Sequence, residues 1–121
     1  MIFLLLILSI YAKEDNALSL KDLKGQSVVF EKFKKDIPVR IANCKNECLS
    51  RKMVAEKNVL IKLPPHGGAN PSSILCIDLG GHNINMKDNQ GNEYGVCQFP
   101  DGSQLLSWDL FHHLKPRQEY Y

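Results

Sequence analysis

Residues 70–81 (NPSSILCIDLGG) and residues 94–108 (YGVCQFPDGSQLLSW) decide the fold of this chain of 121 residues. Asn70 is a residue type that caps helix N-termini, and Pro71 follows at the first helical position, where a missing N–H group is tolerated. Gly80 and Gly81 then supply a left-handed helix stop. The first stretch therefore predicts a helix that begins after Asn70 and ends before the two glycines.

The residues that follow the glycines predict a β-hairpin. Residues 82–86 alternate polar and apolar side chains, so that Ile84 and Met86 share one face of a strand. Residues 88–92 (DNQGN) are typical of a turn, and residues 94–99 return as the partner strand. A calcium loop is the alternative interpretation of the DNQGN segment, but its spacing differs from that of an EF-hand.

A second helix is predicted after a tight turn at residues 100–102 (PDG), in which proline fixes φ and glycine accepts positive φ. Ser103 has the side chain of an N-cap, and residues 104–112 place Leu105 and Trp108 on the inner face of a helix. The predicted fold class is therefore α+β. It consists of a small disulfide-stapled helix–β-hairpin–helix unit, preceded by a strand-rich N-terminal segment.

The N-terminal segment, residues 13–63, carries weaker signals. Its β-branched and aromatic residues predict strands at 27–33, 39–42 and 59–63, and a helix is predicted at 47–57. The sequence does not determine whether this segment folds by itself or adds strands to the C-terminal unit.

The first residues favour export. Residues 2–10 are an uninterrupted apolar run, which has the length of a signal-peptide core and is shorter than the ~20 residues of a membrane span. We expect residues 1–12 to be a signal peptide and the mature chain, without a transmembrane helix, to be periplasmic or secreted. The alternative is a buried N-terminal element of a cytosolic protein.

Composition marks two further boundaries. Residues 64–69 are rich in Pro and Gly and are expected to link the N-terminal segment to a domain at residues 70–114. Residues 115–121 follow the last predicted helix and are expected to be a frayed tail.

Charge is distributed unevenly along the chain. Residues 13–62 contain 12 Lys and Arg against 7 Asp and Glu, whereas residues 63–121 contain 3 against 6. The densest basic cluster, Lys32, Lys34 and Lys35, is interleaved with apolar residues and predicts an exposed strand edge that could contact an anionic surface. The alternative is a solvated face without a partner. We expect no nucleic-acid partner, because the chain has no recognised nucleic-acid motif.

Four cysteines, Cys44, Cys48, Cys76 and Cys97, follow the predicted signal peptide. An even number in a small exported chain favours disulfides over metal binding or catalysis. Four cysteines allow three pairings, and the sequence does not choose among them. A zinc site built on Cys44, Cys48 and two histidines would lack a second ligand pair of suitable spacing.

The sequence contains candidate catalytic residues, but no pattern in it places a nucleophile beside a base. Cys97 or Ser103 would need a base among His82, His112 and His113, and no sequence feature places these residues together. We therefore expect a protein that is not an enzyme and that holds no metal or cofactor.

Three aromatic residues, Trp108, Tyr94 and Phe111, have two interpretations. They could form a platform on which a carbohydrate stacks, or they could belong to the core. Helical spacing in a small domain favours the core.

These features resemble a bacterial family known as domain of unknown function 333, and the resemblance covers about residues 69–111. Members of that family are small envelope or exported proteins, often labelled haemolysins, and the resemblance implies no catalytic residue. The residues that carry it, as an ordered set, are Asn70, Pro71, Cys76, Gly80, Gly81, Gly95, Val96, Cys97, Phe99, Pro100, Asp101, Gly102, Ser103 and Trp108.

The resemblance also implies a disulfide pairing. Family members tend to carry two further cysteines, one at the position of Leu105 and one after the last helix. If those two cysteines pair with each other, Cys76 pairs with Cys97. Cys44 and Cys48 would then pair locally or with an external thiol.

The predicted function is an exported, non-enzymatic binding or accessory module of the bacterial cell envelope. Its partner would be an envelope protein, a glycan or an anionic surface. The alternatives are a membrane-active, haemolysin-like protein and an inhibitor of a secreted hydrolase. Membrane activity is disfavoured, because no long apolar or strongly amphipathic helix is predicted after residue 12.

Overall fold

The computed structural model of the protein describes residues 17–65 and 67–121, so the predicted signal peptide lies outside the described residues. These residues form eight strands and three short helices. The strands are Ala17–Lys21 (β1), Ser27–Lys32 (β2), Arg40–Ala42 (β3), Leu60–Leu63 (β4), His82–Lys87 (β5), Glu93–Gln98 (β6), Gln104–Leu106 (β7) and Arg117–Tyr120 (β8). The helices are Leu49–Val54 (α1), Pro71–Asp78 (α2) and Ser107–Leu114 (α3).

Six strands close an antiparallel barrel in the order β1–β2–β3–β7–β6–β5. Its longest pairings are the two hairpins β1–β2 and β5–β6. The barrel closes where Lys21 of β1 lies opposite Lys87 of β5. The N-terminal segment therefore adds its first three strands to those of the C-terminal region, and closure removes the exposed edges of the sheet.

The predicted α+β helix–hairpin–helix fold was wrong, because the described chain is mostly strand and its centre is a closed barrel. The decisive error lies in the last predicted helix. Residues Gln104–Leu106 form β7, and Leu105 lies opposite Ile41 on one side and Cys97 on the other. Pairing on both sides satisfies the buried backbone groups and outweighs the helical spacing of the side chains. Helix α3 begins only at Ser107.

The prediction of a frayed tail was also wrong. Strand β8 runs parallel to β4 in a separate two-stranded sheet. Its ends are fixed by hydrogen bonds from Arg117 N to Val59 O (2.8 Å) and from Tyr121 N to Leu63 O (3.1 Å). The C-terminal residues thus remain exposed at the surface but follow a defined strand.

Alternation along the barrel strands separates two apolar clusters. Neighbouring residues on the same strands, such as Ile41, Cys97 and Leu105, belong to an outer cluster that includes the helices. Burial of each large side chain contributes ~2 kcal/mol, so both clusters stabilise the barrel. Each barrel strand contributes one buried residue to the inner cluster, which contains Leu20, Phe30, Ala42, Met86, Val96 and Leu106.

Several local predictions in the C-terminal region are confirmed. The Asn70 side chain caps α2 by accepting a hydrogen bond from Ser72 N at 2.9 Å, with Pro71 at the first helical position. In the Pro100-Asp101-Gly102 turn, Gly102 N donates to Phe99 O at 2.9 Å, and Gly102 has a φ of +88°.

The two glycines after α2 have different roles. Gly80 has a φ of +93° and provides the predicted helix stop. Gly81 is not in the left-handed region. A Cβ atom at Gly81 would collide with Cys97 Sγ and lie 3.1 Å from Cys76 Sγ. The prediction of a left-handed stop is therefore correct only for Gly80, and Gly81 allows the close approach of a disulfide.

The disulfide pairing implied by the family resemblance is confirmed. Cys76 is bonded to Cys97, and Cys44 is bonded to Cys48. Cys76 and Cys97 are fully buried, so their bond joins α2 to β6 inside the outer cluster. No helix among residues 17–65 and 67–121 is long and apolar enough to cross a membrane.

Candidate functional site

A polar cleft of ≈ 620 Å³ lies where the β5–β6 hairpin approaches the N-terminal ends of α2 and α3. We call it the Trp108 cleft. Its lining combines amide, hydroxyl, charged and aromatic side chains with little aliphatic surface. The residues that line it are Arg40, Asn70, Ser73, Asn83, Asn85, Glu93, Tyr94, Gly95, Leu106, Trp108 and Asp109.

A forked ion pair forms one part of the cleft wall. Arg40 Nε and Nη2 donate to the two carboxylate oxygens of Asp109 at 2.9 and 3.1 Å. The backbone N–H of Arg40 donates to the same carboxylate at 3.1 Å. The hydrogen bond to Asp109 raises the pKa of the Arg40 guanidinium, although partial burial acts in the opposite direction. The pair thus connects β3 to α3 and presents a preorganised donor–acceptor surface without net charge.

Gly95, a residue of the cleft lining, lies between the polar residues Asn83 and Ser107. Ser107 Oγ donates to Asn83 Oδ1 at 3.0 Å, which fixes the amide of Asn83. A Cβ atom at Gly95 would lie 3.6 Å from Asn83 Oδ1 and 3.8 Å from Ser107 Cβ. Both distances are ordinary contacts, so a methyl group would fit there but would occupy cleft space.

Trp108 gives the cleft its aromatic face. Its residue is 39% exposed, so the interpretation of Trp108 as a core residue was wrong. The indole packs edge-on against Phe111 at 5.2 Å and stacks on His112 at 5.5 Å between ring centroids. Tyr94 lines the same cleft, whereas Phe111 contacts the Trp108 ring but does not line the cleft. Trp108 is thus open to the cleft, whereas Tyr94 packs against the inner apolar cluster and Phe111 against the outer one, as the core interpretation predicts for these two residues.

The two nucleophiles considered for catalysis, Cys97 and Ser103, are held in structural contacts. Cys97 Sγ is bonded to Cys76, so it is not a free nucleophile. Ser103 is fully buried, and its hydroxyl donates to Asp101 Oδ1 at 2.7 Å and accepts from Ser50 Oγ at 2.8 Å. Instead of capping the last helix, Ser103 therefore fixes α1 to the turn before β7.

Asp101 completes this attachment of α1. Its Oδ2 accepts from Leu49 N at 2.7 Å, and its Oδ1 accepts from Ser103 N at 3.0 Å. The hydrogen bond from Leu49 N, with those from Ser103, lowers the pKa of the Asp101 carboxyl. Asp101 thus supports the fold in its charged form.

The segments considered for metal binding are also occupied by structural bonds. Asp88 Oδ1 accepts from Gln90 N and Asn92 N, both at 2.9 Å, which closes the predicted hairpin turn. Cys44 and Cys48, considered as zinc ligands, are bonded to each other.

No residue of the basic cluster lines the Trp108 cleft, although Lys32 lies opposite the cleft residue Arg40 in the β2–β3 pairing. Lys32 lines a second cavity of ≈ 380 Å³, while Lys34 and Lys35 are exposed in the connection from β2 to β3. Because β2 pairs with both β1 and β3, the prediction of an exposed strand edge at this cluster was wrong.

Six polar residues of the cleft were not predicted from the sequence: Arg40, Ser73, Asn83, Asn85, Glu93 and Asp109. Asn83 and Asn85 lie on the face of β5 opposite its apolar residues, and this alternation is visible in the sequence. Arg40 and Asp109 are 69 positions apart, and no local pattern connects them.

No curated protein and no solved structure matches the chain. A family model matches residues 67–113, which span α2 through most of α3 and contain every cleft residue named above except Arg40. The resemblance predicted from the sequence is thereby confirmed: residues 67–113 match the family described as Domain of unknown function (DUF333).

Proposed function

We propose that this protein is an exported, non-enzymatic binding module of the bacterial cell envelope and that its Trp108 cleft holds part of a glycan. Export is supported by the apolar run at residues 2–10 and by the two disulfides. The observation that carries the proposed ligand is the partly exposed Trp108 indole beside fixed amide and ion-pair groups.

The chemistry of the cleft suits a sugar. A sugar ring has an apolar C–H face and a rim of hydroxyl groups that both donate and accept hydrogen bonds. Trp108 offers an apolar aromatic surface to the face of the ring. The Arg40–Asp109 pair and the Asn83 amide offer donors and acceptors to its rim.

Preorganisation supports binding over chemistry. Asp109 accepts three hydrogen bonds from Arg40, so its carboxylate is engaged before any ligand arrives. Such fixed groups lower the entropic cost of binding. Glu93, the other carboxylate of the lining, is exposed and lies 3.8 Å from Lys87 Nζ, and the lining contains no histidine.

A fluorescence titration tests the proposal, because Trp108 is the single tryptophan of the chain. We expect N-acetylhexosamine oligosaccharides, the sugar class of bacterial wall glycans, to change its emission in a saturable way. Asn83→Ala should weaken binding about tenfold, since a hydrogen-bonding group is lost. Asn89→Ala, in the exposed hairpin turn, is the matched control and should bind as the wild type does.

An unchanged emission at saturating sugar would contradict the proposal, as would equal affinities for the Asn83→Ala and Asn89→Ala variants. The rival membrane-active function is tested by dye release from anionic vesicles. We expect no leakage at micromolar protein, and substantial leakage would favour that rival. Stoichiometric inhibition of a secreted hydrolase, without sugar binding, would favour the inhibitor alternative.

A further inference from the structure

A second cavity, of ≈ 380 Å³, lies beside the partly exposed Cys44–Cys48 disulfide, between the outer face of β2–β3 and α1. We call it the Cys44 cavity. It shares no lining residue with the Trp108 cleft. Its lining includes Lys32, Phe33, Cys44 and Arg51.

The two sulfurs of the disulfide at this cavity differ in access. Cys44 lines the cavity and is partly exposed although it also packs against the outer apolar cluster, whereas Cys48 is only 6% exposed and does not line the cavity. Thiol–disulfide exchange depends on which sulfur an attacking thiolate can reach. Cys44 is therefore the sulfur open to attack.

Charge at the cavity favours an anionic reagent. Arg51 lies with its Cζ 4.8 Å from the centre of the Phe33 ring, and it donates a hydrogen bond to Asn46 O. These contacts hold the guanidinium at the cavity. Lys32 adds a second positive charge, against one carboxylate, Glu31, in the lining. A cavity with net positive charge attracts anions and speeds their encounter.

We propose that the Cys44–Cys48 disulfide is a thiol–disulfide exchange site for small thiols that carry carboxylate groups. The thiolate sulfur of the reagent forms a bond to Cys44 Sγ, the bond between Cys44 and Cys48 breaks, and Cys48 leaves as a thiolate that takes a proton from water. A second thiolate attacks the sulfur of the bound reagent. Cys44 then leaves and is protonated, so two thiols are oxidised to one disulfide while the protein disulfide is reduced to two thiols.

The test is the rate of reduction of each disulfide in the folded full chain by reduced glutathione, a thiol with net negative charge. Aliquots are quenched with acid and alkylated, and the modified cysteines are identified by mass spectrometry. We expect Cys44–Cys48 to be reduced at least ten times faster than Cys76–Cys97. Equal rates for the two bonds would overturn the proposal.

Charge variants test the role of the cavity separately from simple exposure. Lys32→Gln should slow reduction by glutathione about two- to threefold at low salt, with little effect on reduction by the cationic thiol cysteamine. Lys57→Gln, an exposed lysine that does not line the cavity, is the matched control. Arg51→Gln should act in the same direction as Lys32→Gln. If Lys32→Gln and Lys57→Gln slow the reduction of Cys44–Cys48 by glutathione equally, the cavity has no part in the exchange and the proposal fails.

Discussion

The two disulfides touch the same outer apolar cluster but differ in how fully they are buried. Cys76–Cys97 joins residues 21 positions apart and is fully buried beneath Gly81. Cys44–Cys48 closes a loop of 4 positions, and Cys44 reaches an open cavity. Two disulfides of one chain can therefore differ in role. Burial decides whether a reducing thiol can reach the sulfurs, and loop length decides how much the bond stabilises the fold.

The buried disulfide also supports the candidate site. It ties α2, which contributes Asn70 and Ser73 to the Trp108 cleft, to β6, which contributes Tyr94 and Gly95. Cys44–Cys48 closes a short loop after β3, and Arg40 is the one cleft residue on that strand. Changes at the two disulfides should therefore affect stability and ligand binding differently.

The largest effect is expected from removal of the buried disulfide. The double variant Cys76→Ala, Cys97→Ala should lose ~3 to 5 kcal/mol of unfolding free energy, because a long loop is released in the unfolded chain and sulfur atoms are lost from the core. Urea denaturation followed by circular dichroism measures this loss, and sugar affinity should fall as well. A loss below ~1 kcal/mol would contradict the structural role of this bond.

Gly81→Ala should have the next largest effect. The added methyl group would collide with the Cys97 sulfur in a fully buried site, and overpacking of this kind costs ~2 to 3 kcal/mol. Gly95→Ala is the matched control, because its methyl group would meet only ordinary contacts and should cost less than ~1 kcal/mol. Thermal unfolding of both variants would refute the packing argument if their midpoints fell equally.

Removal of the exposed disulfide should have a smaller effect. The loop-entropy model gives ~2 kcal/mol for a loop of this length, so the double variant Cys44→Ala, Cys48→Ala should remain folded. Its sugar affinity should equal that of the wild type, as measured by the Trp108 emission. A loss of sugar binding in a folded variant would break the separation between the two regions.

The smallest effect concerns pH. The pKa of Asp101 is lowered in the folded protein by the hydrogen bonds from Leu49 N and Ser103. A lowered pKa stabilises the fold above the unfolded value of ~3.9, and this stability is lost as pH falls through the lower folded value. In urea titrations, Asp101→Asn should be less stable than the wild type at neutral pH, and the difference should narrow in acid. A difference independent of pH would contradict the role of the Asp101 charge.

Local signals explain how much of the fold could be predicted. The Asn70 cap, the Gly80 stop and the PDG turn depend on residues within a few positions of each other, so the sequence shows them directly. Barrel closure does not depend on neighbouring residues in the sequence. It brings Lys21 opposite Lys87, and the identity of two lysines does not indicate that they pair. The helical spacing of Leu105 and Trp108 was misleading, because strand pairing on both sides of Leu105 is a nonlocal effect.

Nonlocal contacts of β7 and β3 also explain why part of the Trp108 cleft could not be predicted. Once α3 begins at Ser107, Leu105 and Trp108 no longer share a helix face. Ser107 and Leu110 are the buried residues of α3, while Trp108 remains partly exposed. The polar face of β5 could be predicted from its alternation. The Arg40–Asp109 pair could not, since it depends on how β3 and α3 meet in the finished barrel.

A ¹H–¹⁵N NMR titration of the wild-type protein with an N-acetylhexosamine tetramer tests directly whether the Trp108 cleft binds a glycan. Trp108 gives the only indole N–H signal, because the chain contains a single tryptophan. We predict that this signal and the Gly95 amide signal shift together and saturate, while signals around the Cys44 cavity remain unchanged. If saturating sugar moves neither signal, or moves only signals outside the Trp108 cleft, the cleft is not a glycan-binding site.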